Sequence, residues 1–532
     1  MERLPIIYIR GFAGATAGID EQVDDPFYGF NAGSTHIRIN GDGEPDFYQF
    51  EGPMLRLLAD EDYHLLVRGD QRAYLADAGP GEVESASIWV YRFYDQAATT
   101  FARPPHEGLP ERLFGWLRKR VTAEGFDIET AAAGLYDLVT LVREKTGAPK
   151  VHLVAHSMGG LVARCMLQKL CGRDGRAPAP AVVSKLFTYG TPHGGIDFDV
   201  GALDWVQKNF GPAGSDIFAP EKMYGYLTPG RRFGDEPRRG ADWDPRSMQG
   251  ALPPEDVFCL VGTNPDDYGI ARAAVGPKSD GLVRIENAYV PGAHRAYVHR
   301  SHSGRYGEVN SEEGYQNLRR FLFGRWAVAA ILDGLPRYPR DMDRLPAGER
   351  WPVWQADMRL AVRGVPVIMS EQLAAHWCPI QINEELRRHI DGPDTPVPLV
   401  RTFLLDRVRM RYTLTLRVFK LTQARGSIRY SGHLEQVPDW ADSLIVDVEP
   451  HDGGDGGLRA WAAWNSEVAG EIDKFDPITE GVVATAPAER REPLALREKG
   501  QARYCEVSLP DVAKALPILG PDAVLRLEIA ER

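Results

Sequence analysis

The stretch Lys150-Val151-His152-Leu153-Val154-Ala155-His156-Ser157-Met158-Gly159-Gly160 limits what this chain can fold into more than any other. A short apolar run stops at a serine flanked by small residues, and a new apolar-periodic segment starts at once. That is the sequence form of a strand, a tight turn and a helix, with Ser157 at the apex. The residues two before and two after the serine, Ala155 and Gly159, are small, as they must be where the backbone folds back on itself. Such a turn strains the serine backbone and lifts the hydroxyl clear of the sheet. The helix N-terminus behind it offers unpaired N–H groups to a developing negative charge.

Around this turn the chain alternates strands and helices. Residues 5–9 read as a buried strand followed by Arg10-Gly11-Phe12-Ala13-Gly14, a glycine-bearing loop whose backbone can approach a ligand closely. An irregular excursion rich in Gly, Asp and aromatics comes next. Short helices are expected at 54–60 and 111–119, and a strand at Ser87–Phe93. Asp127 caps a helix whose apolar face is Leu135, Leu138, Val139 and Val142, and Gly147-Ala148-Pro149 stops it. Further strands are read at 151–155, 181–189, 256–262 and 296–300, with a last helix from about Ser311 to Phe323. Strand–helix alternation at this spacing predicts right-handed crossovers and a mostly parallel sheet.

Between the strands at 181–189 and 256–262 lies far more chain than a helical crossover needs. This insertion, residues 196–252, carries Phe198, Trp205, Phe210, Phe218, Tyr224, Tyr226, Phe233 and Trp243. It is read as a lid-like insertion, most of its aromatics packing its own core. Residues 333–350, with three prolines and many charges, are read as a linker between a domain at 1–332 and a second at 351–532. Beyond 350 the period becomes two: Met410–Val418, Ser443–Val448 and Ala523–Ile529 alternate polar with apolar, which predicts a mainly antiparallel β-sandwich.

At 532 residues the chain is too long for a single core. Its net charge of −12 argues against a nucleic-acid partner, since phosphate binding needs a basic surface. The five cysteines are scattered, with no pair or Cys/His cluster at zinc spacing, and are expected to be buried free thiols. The N-terminal residues run straight into a strand without a basic segment and a long apolar one. The longest apolar run, Trp326–Leu332, is far short of a membrane span. The expected location is the cytoplasm, with export that needs no cleaved signal left open.

A serine hydroxyl is a weak nucleophile and needs a base within hydrogen-bond reach, itself oriented by a carboxylate. On an α/β sheet these partners follow in the order Ser, Asp/Glu, His. The chain offers an aspartate after a late strand and a histidine after the last one. Ala155-His156-Ser157-Met158-Gly159-Gly160 is similar to the A-x-S-x-G turn of some bacterial lipases. Gly190-Thr191-Pro192-His193 resembles an element of lipases and GPI inositol-deacylase-like hydrolases, and Ser279-Asp280-Gly281-Leu282-Val283 resembles the N-D-G-L-V segment of bacterial lipases. Over about the first 325 residues the chain thus looks like an α/β-hydrolase of the bacterial lipase type.

The resemblance implies Ser157 as nucleophile, Asp280 as acid, and the backbone N–H groups of Phe12 and Met158 as the oxyanion hole. Arg10 stands where the family usually has His, a change that backbone donors survive. His294, His299 and His302 all follow Asp280. His302 is preferred because it lies past the last strand, among Ser301, Ser303 and Gly304, at a spacing from Asp280 within the family's range; His299 is second. Asp266 and Asp267 are the alternatives for the acid. His193 is read as structuring its loop and His156 as lining the pocket or packing, neither as catalytic.

These residues imply a serine hydrolase acting on carboxylic esters, of a lipid or another acyl chain, with no organic cofactor and no metal; a structural calcium occurs in some related lipases. The alternatives are a phospholipase, a thioesterase or an amide-cleaving relative, and a catalytically silent scaffold. The C-terminal domain is expected to bind, contacting a lipid surface or a protein partner, and the oligomeric state stays open.

Overall fold

The computed structural model describes residues 3–11, 38–39, 45–46, 51–64, 71–91, 127–196, 216–232, 234–237, 243–266, 275–302, 307–336, 353–382, 396–405, 410–421, 437–450, 458–468, 493–500 and 502–532. The helix expected at 111–119, and Phe12 and Asp267, lie outside them. Two compact units divide the chain, Met1–Leu322 and Phe323–Arg532.

The first unit is built on a parallel sheet of β1 (Ile6–Ile9), β4 (Ile88–Tyr91), β5 (Val151–His156), β6 (Val183–Tyr189), β7 (Val257–Gly262) and β8 (His294–Val298), in the order β4-β1-β5-β6-β7-β8. A separate two-residue ladder joins β2 (Arg38–Ile39) to β3 (Pro45–Asp46). Strands β1, β4, β5 and β7 are buried along their whole length, as expected where both faces of a parallel sheet are covered. Helices α1 (Glu51–Glu61), α2 (Gln71–Asp77), α3 (Ile128–Thr146), α4 (Met158–Cys165), α5 (Pro220–Leu227) and α6 (Glu312–Phe323) accompany it. The cap of α3 forms as its sequence predicts. Asp127 accepts from the N–H groups of Glu129 and Thr130 at 3.2 and 3.1 Å, and Gly147 ends the helix with φ +69°.

The second unit is a β-rich fold of two mainly antiparallel sheets. One runs β11 (Ile368–Gln372), β10 (Val353–Val362), β14 (Met410–Leu421), β15 (Trp440–Pro450), β16 (Leu458–Trp464), with β12 (Ile380–Gln381) beside β10. The other runs β13 (Val397–Leu404), β9 (Trp326–Asp333), β19 (Val524–Glu531), β18 (Ala502–Ser508), β17 (Arg497–Lys499). Leu414, Leu416, Leu444 and Val446 of the first sheet share one core with Val328, Leu332, Leu525 and Leu527 of the second. That shared core is what makes a sandwich of them.

One boundary differs from the sequence reading. The sequence reading ends the first domain at 332, but β9 pairs with β13 and β19, so residues 326–333 belong to the second unit. Trp326, Val328, Ala330 and Leu332 face the core while Ala327 and Ala329 do not. With alanine at those outward positions, a strand of period two reads as one continuous apolar run. Of the linker at 333–350, Asp333 closes β9, 334–336 follow it, and 337–350 lie outside the described residues.

Among the described residues no helix is long and apolar enough to cross a membrane. All five cysteines are buried and free.

Candidate active site

Because every strand of the first sheet is parallel, the segments leaving β1, β5, β6, β7 and β8 emerge at one edge. In open α/β sheets that edge is where ligands bind. Ser157 follows β5 directly, with φ +53° and ψ −128°, in a region non-glycine residues rarely adopt. The small neighbours have a steric cause. A Cβ on Gly159 would lie 2.5 Å from Ile9 O and 2.8 Å from Arg10 O, so α4 can start this close to β1 only through a glycine. Gly160 passes equally close to the Thr191 side chain, and a Cβ on Gly11 would lie 2.8 Å from Ser157 Cβ. Gly159→Ala should therefore cost about 2–3 kcal/mol by forcing backbone apart, read as a lowered midpoint in denaturant unfolding of this unit.

His302 lies just past β8, and its ring joins two of the sequence-predicted residues. Its Nε2 is 2.9 Å from Ser157 Oγ and its Nδ1 is 2.8 Å from Asp280 Oδ2. All three are buried, with Ser157 at 8% exposure. Asp280 is held by its own turn. Leu282 N–H and Val283 N–H donate to Oδ1 at 2.9 and 2.7 Å, Asp280 O accepts from His302 N–H at 2.9 Å, and Gly281 turns at φ +100°. With Asp280 as acceptor, Nδ1 carries the ring proton and Nε2 is left to accept from the serine hydroxyl. Such a relay can make a serine nucleophilic and shuttle its proton.

The other candidates stand elsewhere. His299 is exposed, with Nδ1 3.4 Å from Thr263 Oγ1, and His294 is buried at the start of β8 beside Phe321. Asp266 is exposed on the loop after β7. Met158 is the first residue of α4, where an N–H has no acceptor within the helix. Phe12 lies outside the described residues, although the loop leading to it touches Ser157 at Gly11.

Other buried residues support the site. His156 Nε2–H donates to the His302 carbonyl at 2.9 Å, and burial followed by the nearby His302 ring pushes its pKa well below the usual histidine range. Arg164 is fully buried on α4. It donates to Gln168 Oε1 at 2.9 Å, His193 O at 3.0 Å, Pro245 O at 2.7 Å and Ser247 O at 2.8 Å. Burial lowers it to about 10. Arg164 thus fastens the 245–247 turn to the helix behind the serine. The available clue was a polar pair four residues apart, Arg164 and Gln168, in a mostly apolar stretch that runs past the end of α4. His193 is buried with Nε2 3.1 Å from Thr188 Oγ1, and burial again depresses its pKa well below the ordinary value.

Glu308 is wholly buried near the Asp280–His302 pair, and burial, then the charge of Asp280, pushes its carboxyl well above the usual range. Among the described residues, one set of His and carboxylate atoms lies within 4.8 Å of one another, on His156, His302 and Glu308. Both ring nitrogens of His302 are already hydrogen-bonded, and so is His156 Nε2, so this set is not arranged to hold an ion.

These buried groups predict a pH dependence. Below about pH 6.5 the unfolded chain protonates its histidines while folded His156 and His193 do not, so acid destabilises the fold. Glu308 works the other way. It keeps a proton the unfolded chain releases above about pH 4.5, so its contribution is full below that pH and is lost as pH rises. The two histidines outnumber the one carboxyl, so from these groups stability should fall as the pH is lowered from 6 to 5. Denaturant unfolding across that range checks it, and a rising stability would contradict it.

The sheet and its helices define an α/β unit followed by a β-rich one. No family model matches the chain. A structure comparison pairs it with the product of gene lin2722 of Listeria innocua at 14% identity and a TM-score of 0.22, over 60% of this chain and 94% of that one. A likeness that weak carries no argument, and the α/β assignment rests on the sheet itself.

Proposed function

We propose that the first unit is an α/β-hydrolase of the bacterial lipase type that cleaves carboxylic esters of a lipid or another acyl chain. The observation that carries this reading is the Ser157–His302–Asp280 chain of hydrogen bonds, 2.9 and 2.8 Å, behind a serine at positive φ. Ser157 attacks the ester carbonyl while His302 Nε2 takes its proton, and His302 returns that proton to the leaving alcohol. Water then repeats the steps to release the acid. Asp280 orients His302 and stabilises the imidazolium. The N–H groups of Met158 and Phe12 hold the oxyanion, each such donor being worth about 3 kcal/mol. Residues 196–252 serve as a lid, and the second unit as a surface for a lipid interface or a protein partner.

The test is labelling with a fluorophosphonate and turnover of short and long p-nitrophenyl esters. A wild type that neither labels nor turns over any ester would sink the reading. Asp280→Asn should lower kcat by about 10⁴-fold. The amide would donate to His302 Nδ1, moving the ring proton to Nε2, where it faces the serine and cannot accept. Steady-state kinetics on a soluble ester reads this out.

A further inference from the structure

Glu308 has no part in the mechanism above, yet it sits against it. It lies in the turn before α6, with its N–H donating to Ser301 O at 2.9 Å and its carbonyl accepting from Ser311 Oγ at 2.7 Å. Its side chain points under Gly190, whose φ is +47°. A Cβ on Gly190 would collide with Glu308 Oε1 and lie 2.9 Å from both Asp280 Oδ2 and His302 Nδ1. The two carboxyl groups and the ring are therefore gathered around one glycine.

The groups facing Glu308 are Asp280 from its own turn, His302 beyond β8, His156 at the end of β5 and Tyr189 at the end of β6. The Gly262 backbone faces the carboxyl from β7, but among the described residues neither oxygen has a partner in hydrogen-bonding geometry. Asp280, by contrast, accepts from two backbone N–H groups and His302. Two enclosed carboxyls this close cannot both be charged cheaply, and the one with donors keeps the charge. We propose that Glu308 is a positioning residue that holds a proton in the resting site, leaving Asp280 as the single carboxylate acting on His302. The proposal rests on the hydrolase reading. A second negative charge here would tighten the hold of His302 on a proton, and a protonated His302 cannot take one from Ser157.

The test is infrared spectroscopy of the full chain labelled with ¹³C-carboxyl glutamate, beside the pH profile of kcat/KM. At neutral pH the wild type should show a protonated carboxyl band that carries the glutamate isotope shift, vanishes in Glu308→Gln, and moves when a fluorophosphonate modifies Ser157. Glu308→Gln should lower kcat/KM by up to about tenfold and leave the midpoint of the acid limb within about 0.3 pH unit. Absence of the band, a band indifferent to modification of Ser157, or an acid limb displaced downward by about one unit or more would overturn the proposal. If Glu308→Gln fails to fold, the isotope shift still assigns the band, because Glu61, the other buried glutamate among the described residues, is paired with Arg3 and Arg319. If the wild type does not react with the probe, the hydrolase reading fails, while the band alone decides whether Glu308 holds a proton.

Discussion

Ser157→Ala should lower kcat for ester hydrolysis by about 10⁶-fold, abolish fluorophosphonate labelling and leave substrate affinity within a few-fold. The size follows from the geometry. The serine oxygen is the only atom in the described site placed to attack while its proton passes 2.9 Å to His302 Nε2. Removing it leaves transition-state binding by the backbone donors, worth about 10³-fold over water. Binding should persist because the change deletes one oxygen from a turn shaped by Gly159 and Gly160, not by the hydroxyl. Folding should hold or improve slightly, since alanine places no new atom near Gly11. Labelling that survived in Ser157→Ala would move the nucleophile elsewhere and remove the basis of the proposed activity.

His302→Ala should cost a similar factor of about 10⁶ in kcat, whereas His299→Ala should cost less than about threefold. The two histidines are three positions apart, and their fates differ because the chain turns between them. His299 leaves β8 into solvent beside Thr263, while His302 is drawn inward by its own N–H bond to Asp280 O at 2.9 Å and by His156 on its carbonyl. The loss in His302→Ala should extend across the pH range, because no other ring among the described residues bridges Ser157 and Asp280. Kinetics on a soluble p-nitrophenyl ester, with thermal melting as a check on folding, separates the two. The reverse ranking would overturn the assignment of the base.

Much of the site was legible in the primary structure because its constraints are local. The small residues around Ser157, the Asp127 cap with its Gly147 stop, and the Ser279–Val283 turn each act within a few residues. Their chemistry therefore shows as residue type at fixed spacing. The histidine was narrowed by position but not singled out by pattern, since exposed and buried histidines read alike until the fold places them. Arg164 reads as an ordinary helix residue, yet its role depends on carbonyls about 80 positions away. Glu308 left no trace at all. Nothing in a glutamate before a serine-capped helix tells that Asp280, 28 positions earlier, lies across a glycine from it. The start of the second unit was missed because alanines on the outer face of β9 hide its alternation.

By itself, then, the order of residues determined a strand–turn–helix with a strained serine, an alternating α/β half and a β-rich half. Steric size, capping and periodicity are short-range, and the chain writes them in consecutive letters. Only the tertiary structure decided which histidine meets Ser157, that β9 lies between β13 and β19 in the second unit's sheet, and that a carboxyl with no partner among the described residues is buried beside the site. Those outcomes depend on burial and on distances between segments far apart in the chain. The energy of a charge or a hydrogen bond is set by what surrounds it, and no stretch of sequence states what that will be.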